Sequence, residues 1–337
     1  MANIKDIAKH TGLSVATISR VFNNSPLVRP KTRKKVLNAA KELDYRHNIS
    51  AASLRSGVSK IIGVLVPEIS NVFFAVIING IEKKLKESGY NLIIAQSHES
   101  AEQESEVLFS FQRLNVDGVL ISIAKGTRDY SQLHKMKDQK VPFVYFDRVP
   151  PLDQVNAVTL DDYQGATMAT RHLLDVGCRN IIHIAGDPNV SIFNDRRNGF
   201  LDTMNEAGVT MHEDTVIVLS DDQQANKRLI ADLLEKHRNI DGFFAHGDVY
   251  ALYVLDILKE LKVSVPHQVK VVGFGNADFS AHISPSLTTI DQNGVQMGQM
   301  AAATLIDQLQ AENNVYSRQM LAPQLIIRHS TQSNRNR

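Results

Sequence analysis

The chain has 337 residues, 43% hydrophobic and 22% charged, with one cysteine and a formal net charge of +1. That is the composition of an ordinary globular protein of two or three domains. It excludes an intramolecular disulfide and a cysteine-rich zinc site, and no segment approaches the roughly 18–20 apolar residues that span a bilayer. The N-terminus carries no apolar run of signal-peptide length, so a cytoplasmic protein is expected. The small net charge hides an asymmetry. Residues 1–60 hold twelve Lys and Arg against three acids, a net +9, which leaves −8 on the remainder. A basic head on an acidic body is the footprint of a polyanion-binding module joined to something else. The 12 histidines show no ligand-like spacing, so no metal is expected, and His172 and His183 are expected in or beside the core.

In chain order, Ile4, Ile7 and Ala8 recur at helical spacing and are followed by Gly12, which can take the positive φ that ends a helix. Ser14 is an N-cap candidate for a second short helix carrying Val15, Ile18, Val21 and Phe22. Two short helices joined by a glycine turn make a helix-turn-helix. Asn23-Asn24-Ser25-Pro26 reads as a loop, and Pro30 opens a third helix to Leu43 with Val36, Ala39, Ala40 and Leu43 on its buried stripe. In such units the second helix lies in the DNA major groove. Val15, Ala16, Thr17, Ser19 and Arg20 are placed to meet base edges, with Ser14 and Asn23 flanking them. Arg20 suits a bidentate contact to guanine, and Val15 and Ala16 suit a thymine methyl group. Lys31, Arg33, Lys34 and Lys35 would meet phosphates, which position a protein without choosing sequence, or would simply be solvated.

From Ile61 onward, apolar runs alternate with amphipathic segments. Strands are expected at 61–66, 91–96, 118–123, 142–146, 181–185, 216–220, 242–246 and 269–274, and helices at 73–87 and from about Tyr163 to Gly177. Alternating strand and helix means parallel sheets covered on both faces, here in two successive sets. Ligands of such sheets bind at the carboxyl ends of the strands, in this case between two lobes. The loops there carry Asn71, Phe73 and Phe74, then Asp147 and Arg148, Arg196 in a loop or first helical turn, Asp248, Asn276, and Gln292. Carboxylates, amides, an arginine and an aromatic ring in one cleft suit a neutral polyhydroxylated ligand. Asp248 could equally cap the helix that follows. The helix carrying Ile77, Ile78, Ile81 and Leu85 is expected to supply a dimer face, unless those residues are lobe core. The polar tail after Ile327 has no heptad pattern, which favours a dimer over a tetramer.

The run IKDIAKHTGLSVATISRVFNNSPLVRPKTRKKVLNAAKELDY resembles the headpiece of the LacI/GalR family of bacterial transcription regulators, and the likeness continues through ASLRSGVSKIIGVLVP into the body. The resemblance implies a small all-α helix-turn-helix headpiece at 1–46, a hinge at 47–58, and an α/β body at 59–337. That body would be built of two doubly wound, parallel-sheet, periplasmic-binding-protein-like lobes at about 59–160 and 161–291, with the C-terminal segment crossing between them. It implies that Leu54, with Arg55 beside it, enters the minor groove when the hinge folds on the operator. It further implies that Phe74, Asp147, Arg196, Asp248 and Gln292 line the effector cleft, Arg196 falling in the matching pattern Arg196-Arg197-Asn198-Gly199-Phe200. Two departures stand out. Ala52 replaces a common arginine, and Gly275 replaces an aspartate that grips effector hydroxyls in many relatives.

Enzymes of the same layered class are disfavoured, since there is no GxGxxG opening a helix, no Walker loop, no GxSxG turn and no catalytic Cys/His spacing. A sugar-binding protein would explain the body and not the basic head. The expectation is a homodimeric repressor on double-stranded operator DNA, controlled by a small effector that is a sugar or sugar derivative, with no catalytic residue, no cofactor and no membrane partner. A corepressor-dependent or activating regulator of the same fold is the alternative.

Overall fold

The structure, a computed structural model, describes residues 2–22, 25–45, 58–220, 222–311 and 316–332. Contacts divide the chain into two compact units, Met1–Ser59 and Lys60–Arg337.

Among the described residues the first unit contains three helices. α1 (Ile4–Thr11) is held at its start by a reciprocal cap: Asn3 accepts from the Lys5 and Asp6 N–H groups, and Asp6 accepts from that of Asn3. Such a cap contributes about 1 kcal/mol. Gly12, at φ 68°, turns the chain into α2 (Val15–Phe22). There the Ser14 hydroxyl accepts from the Thr17 N–H at 3.2 Å. α3 (Pro30–Glu42) starts on proline, whose missing N–H would have had no partner there. Ile7, Ile18, Val21, Val36, Ala39 and Ala40 form the core, with Phe22 tilted against Tyr45 at its edge.

The second unit has two six-stranded sheets. The first runs β11-β5-β4-β3-β1-β2, built from β1 (Ile61–Val66), β2 (Asn91–Gln96), β3 (Gly118–Ile121), β4 (Phe143–Phe146), β5 (Ala157–Leu160) and β11 (Arg318–Leu321). All its pairings are parallel. The second runs β12-β10-β9-β8-β6-β7, from β6 (Ile181–Ala185), β7 (Val216–Val218), β8 (Gly242–Ala245), β9 (Lys270–Phe274), β10 (Thr288–Asp291) and β12 (Gln324–Ile326). It is parallel except where β12 pairs antiparallel with β10. The inner strands are buried end to end, as parallel strands covered on both faces must be.

Lobe 1 packs its sheet against α4 (Val72–Glu87), α5 (Ala101–Arg113), α6 (Ser131–Asp138) and α11 (Gly294–Gln310). Lobe 2 uses α7 (Asp162–Asp175), α8 (Ser191–Glu206), α9 (Gln223–Lys236) and α10 (Asp248–Glu260). The chain therefore passes between lobes three times, after β5, after β10 and after β11. α4 and α11 cross in backbone contact: a Cβ on Gly80 would overlap the Val295 carbonyl, and one on Gly298 would overlap that of Ile77. This crossing decides the fate of the expected dimer face. Ile77, Ile81 and Leu85 are buried in the lobe 1 core beside α11, and Ile78 packs partly against it.

The described start of the polar tail, residues 328–332, is also anchored. The Arg328 guanidinium donates to Ser280, to the Leu287 carbonyl and to Asn276 Oδ1, while Ser330 exchanges backbone and side-chain bonds with β9 and the segment before β10. His172 and His183 are both buried, His172 against Thr331 and His183 stacked on Phe200 and Phe244. Among the described residues no helix is long and apolar enough to cross a membrane.

Candidate functional site

On the headpiece, α2 turns Ile18 and Val21 inward and leaves Ser14, Val15, Ala16 and Arg20 exposed, with Thr17 and Ser19 half-buried. The exposed face is thus the one expected to read bases. Lys31, Lys34 and Lys35 are exposed on α3. Arg33, expected at phosphate, does something else: its guanidinium donates to the carbonyls of Val21 at 3.2 Å and Ser25 at 2.9 Å. It thereby satisfies one carbonyl in the last turn of α2, which the helix cannot satisfy itself, and one in the loop that follows. Asn23, Leu54 and Arg55 lie outside the described residues.

In the body, the carboxyl ends of the two sheets face one another. Lys125, after β3, pairs with Asp187, after β6, at 3.6 Å. Arg148, after β4, lies 5.9 Å from the ring of Phe193, in the first turn of α8. Phe193 is the centre of this cleft. Its ring also meets Arg196 at 5.5 Å and the edge of His246 at 4.8 Å, and it covers Gly186 so closely that a Cβ there would overlap it.

Both arginines are held by carboxylates. Arg196, in the second turn of α8 and not the first, donates through Nε to Asp162 Oδ1 at 2.7 Å, with Nη2 at 2.7 Å from the same oxygen. Its Nη1 donates to the His246 carbonyl at 2.6 Å, and its plane covers the Phe274 ring at 3.8 Å. Arg148 Nη1 donates to both oxygens of Glu99 at 2.9 Å. Its Nε is buried without a hydrogen-bond partner, 3.9 Å from Asp147. Asp147 itself accepts from the Ser122 hydroxyl at 3.4 Å, from a backbone at φ 59°.

The remaining expected residues divide. Phe74 is in the lobe 1 core beneath Arg148, with Phe73 half-buried beside it. Asn71 caps α4 by accepting from the Phe73 N–H at 3.0 Å. Asp248 begins α10 and does not cap it. It accepts from the Thr289 hydroxyl and from the Ala277 N–H, tying together the ends of β8, β9 and β10. Asn276, expected to face ligand, donates to Asp291 at 2.9 Å and accepts from Arg328 at 2.7 Å, so both ends of its amide serve lobe 2. Gln292 is buried. Gly275 lies at φ 135°, and a Cβ there would stand 3.7 Å from both Asp248 and Gln292. The space that an aspartate would enter is open and floored by those two side chains.

Burial dominates the proton chemistry. It raises the Asp147 carboxyl against the pull of Arg148 and Arg196, and it raises Asp162, to about 7, against the pull of Arg196. It raises Asp248 against the bonds from Thr289 and Ala277. It lowers His183 to about 4 and His246 to about 3, with Arg196 adding to both, so these imidazoles are neutral at neutral pH. Sequence reasoning missed Phe193, His246, Asp162 and Glu99. Only the three-residue spacing of Phe193 and Arg196 along one helix face could have pointed to any of them.

Comparison with known proteins places both units. Residues 3–48 match bacterial regulatory proteins of the lacI family, and residues 170–331 match a periplasmic binding protein-like domain. The ribose operon repressor of Halalkalibacterium halodurans is 32% identical over 339 residues, covering 100% of this chain and 99% of that protein. The chain belongs to the LacI family. It is a sequence-specific DNA-binding transcription regulator. Two solved LacI-family structures share its body. One is a periplasmic binding protein/LacI transcriptional regulator from Alkaliphilus metalliredigens complexed with D-xylulofuranose. It is 30% identical with a TM-score of 0.71, over 81% of this chain and 100% of that one. The other is a regulator from Enterococcus faecium with bound ribose. It is 29% identical with a TM-score of 0.70, over 80% and 98%. The curated relatives of this LacI-family chain are transcription regulators.

Proposed function

We propose that the chain is a cytoplasmic, non-catalytic repressor. It binds a pseudo-palindromic operator as a homodimer and changes operator affinity when a neutral sugar enters the cleft. Each headpiece reads one half-site with Val15, Ala16, Thr17, Ser19 and Arg20, while Lys31, Lys34 and Lys35 lie on phosphate. Residues 47–58 serve as the hinge between reader and receptor. The observation that carries the effector reading is the pairing of Arg148 with Glu99 and of Arg196 with Asp162 on either side of Phe193. Cations already neutralised by carboxylates do not select an anion. An aromatic face ringed by hydrogen-bonding groups takes a molecule with an apolar face and hydroxyl edges. The relatives named for ribose and D-xylulofuranose support a five-carbon sugar.

The experiment is a thermal-shift series on the full chain with ribose, xylulose, hexoses and their phosphate esters. A ligand that binds the native state raises its stability. Neutral sugars are expected to raise the midpoint and phosphate esters to leave it unchanged. A response confined to the esters would overturn the neutral-ligand reading. On the DNA side, Arg20→Ala should cost about 1–3 kcal/mol of base discrimination at one position per half-site. Selection of bound sequences by the variant checks this, and an unaltered preference removes Arg20 from the readout.

A further inference from the structure

The two carboxylates that neutralise the cleft arginines are held in different ways. Asp162 opens α7 inside lobe 2, and its side chain is 4% exposed. Glu99 stands in the turn between β2 and α5, and its side chain is 26% exposed. That turn is strained. His98 and Glu99 follow one another at φ 50° and φ 58°, in the left-handed region that costs free energy for a residue with a Cβ. Such a conformation persists only where the surroundings hold it, and strain of this kind gathers at ligand clamps. Here the turn is pinned at both ends. The Ser97 N–H donates to the Val66 carbonyl, and the Ser100 N–H donates to that of Ser97. The carboxylate it presents is fixed from two sides. Both Glu99 oxygens accept from Arg148 Nη1 at 2.9 Å, and Oε2 also accepts from the Lys125 N–H at 2.9 Å.

We propose that Glu99 is the specificity-determining residue for effector charge: by occupying and neutralising Arg148 it excludes phosphate esters and sugar acids from the cleft. This rests on the neutral-sugar reading above and assigns it to one side chain. Glu99 acts by rejection. An incoming phosphate would have to displace a carboxylate held from two sides, or bind against its negative charge. A neutral hydroxyl needs neither, since it can accept from the unfilled Arg148 Nε while Glu99 stays in place. The neighbouring charges offer no substitute. Lys125 is paired with Asp187, and the Arg196 donors are engaged within lobe 2 by Asp162 and the His246 carbonyl. Asp147 lies 3.9 Å from Arg148 Nε, too far for a hydrogen bond, and burial works against its ionisation. Glu104 is engaged by the Ala124 N–H, and burial raises its carboxyl too. Without the Glu99 carboxylate, Arg148 would present Nη1 and Nε to the cleft with its positive charge unbalanced.

The test is calorimetry on the full chain at fixed ionic strength, with inorganic phosphate, ribose 5-phosphate and D-ribose as probes. Wild type is expected to reject the first two. Glu99→Gln should bind inorganic phosphate and ribose 5-phosphate at least about tenfold more tightly than wild type, the worth of one hydrogen bond to a charged group. Glu99→Gly should do the same. Glycine suits a φ of 58°, so this variant serves if glutamine disturbs the turn. Glu99→Asp, which restores a carboxylate, should restore the rejection. Adding Arg148→Met to Glu99→Gln should abolish the gain. Anion affinity unchanged from wild type in both the Gln and Gly variants overturns the proposal, as does a gain that survives the loss of Arg148. Wild type that takes ribose 5-phosphate in preference to D-ribose would instead overturn the neutral-sugar reading beneath it, so the two failures are told apart.

Discussion

Arg148 and Arg196 approach the same Phe193 ring from opposite lobes, at similar depth, and are used differently. Arg196 is fastened inside lobe 2: Nε and Nη2 on Asp162, Nη1 on the His246 carbonyl, its plane on Phe274. Arg148 is fastened through Nη1 to Glu99, and its Nε remains without a partner. A buried charge with its donors filled fixes geometry. A buried charge with a donor unfilled is a place where a ligand oxygen gains a full hydrogen bond. The family pattern assigns the effector contact to Arg196, whereas under the proposed function the unfilled donor for such a contact would be Arg148 in lobe 1.

Breaking the lobe 2 arginine should have the largest consequence. Arg196→Ala leaves Asp162 buried without its countercharge, and about 3–5 kcal/mol of stability should be lost in urea unfolding. A loss below about 1 kcal/mol would mean that the pair is not structural.

Next comes the pH response of its neighbour His183. Burial holds the folded imidazole at about 4, below its unfolded value of 6.5. A depressed pKa means that the native state resists protonation. The contribution of His183 is therefore complete above pH 6.5 and lost as pH falls toward 4, about 3 kcal/mol over that interval. Unfolding of wild type and His183→Gln at pH 7 and pH 4 isolates it from the buried carboxylates, which titrate in both proteins. Equal pH responses would contradict the burial of that ring.

For the lobe 1 arginine the readout shifts from stability to ligand. Arg148→Ala should weaken the effector by about 1.5–3 kcal/mol, the worth of a hydrogen bond to a charged group, as measured by calorimetry. If Arg196→Lys, which keeps the charge, weakens the effector more than Arg148→Ala does, the comparison is reversed. The smallest effect belongs to the surface pair across the cleft. Lys125→Ala should change the unfolding free energy by less than about 1 kcal/mol, and added salt should erase the difference.

Much of the architecture could be read from the residues alone because its signals are local. The buried strand β1 is an unbroken apolar run, β6 and β9 are largely apolar with one polar residue each, and Gly12, Ser14 and Pro30 punctuate the headpiece within a few residues of the helices they delimit. β5, β11 and β12 went unread, since runs of three or four residues take strand form only from the neighbour they pair with. The cleft was half legible. Asp147, Arg148 and Arg196 follow strands or a family pattern. Their partners Glu99 and Asp162 lie 49 and 34 residues away, and no periodicity joins them. Asn276 misled for the same reason, because Arg328, 52 residues on, takes the amide oxygen that a ligand would have used.

The path of the chain has a bearing on biosynthesis. β11 and α11 complete lobe 1, while β12 and the buried Ser330 and Thr331 complete lobe 2. Neither receptor half holds all its parts until the ribosome has translated past residue 320, although the helical reader closes on itself within the first 45. The nascent regulator thus has a finished helical head long before either lobe of its body is complete.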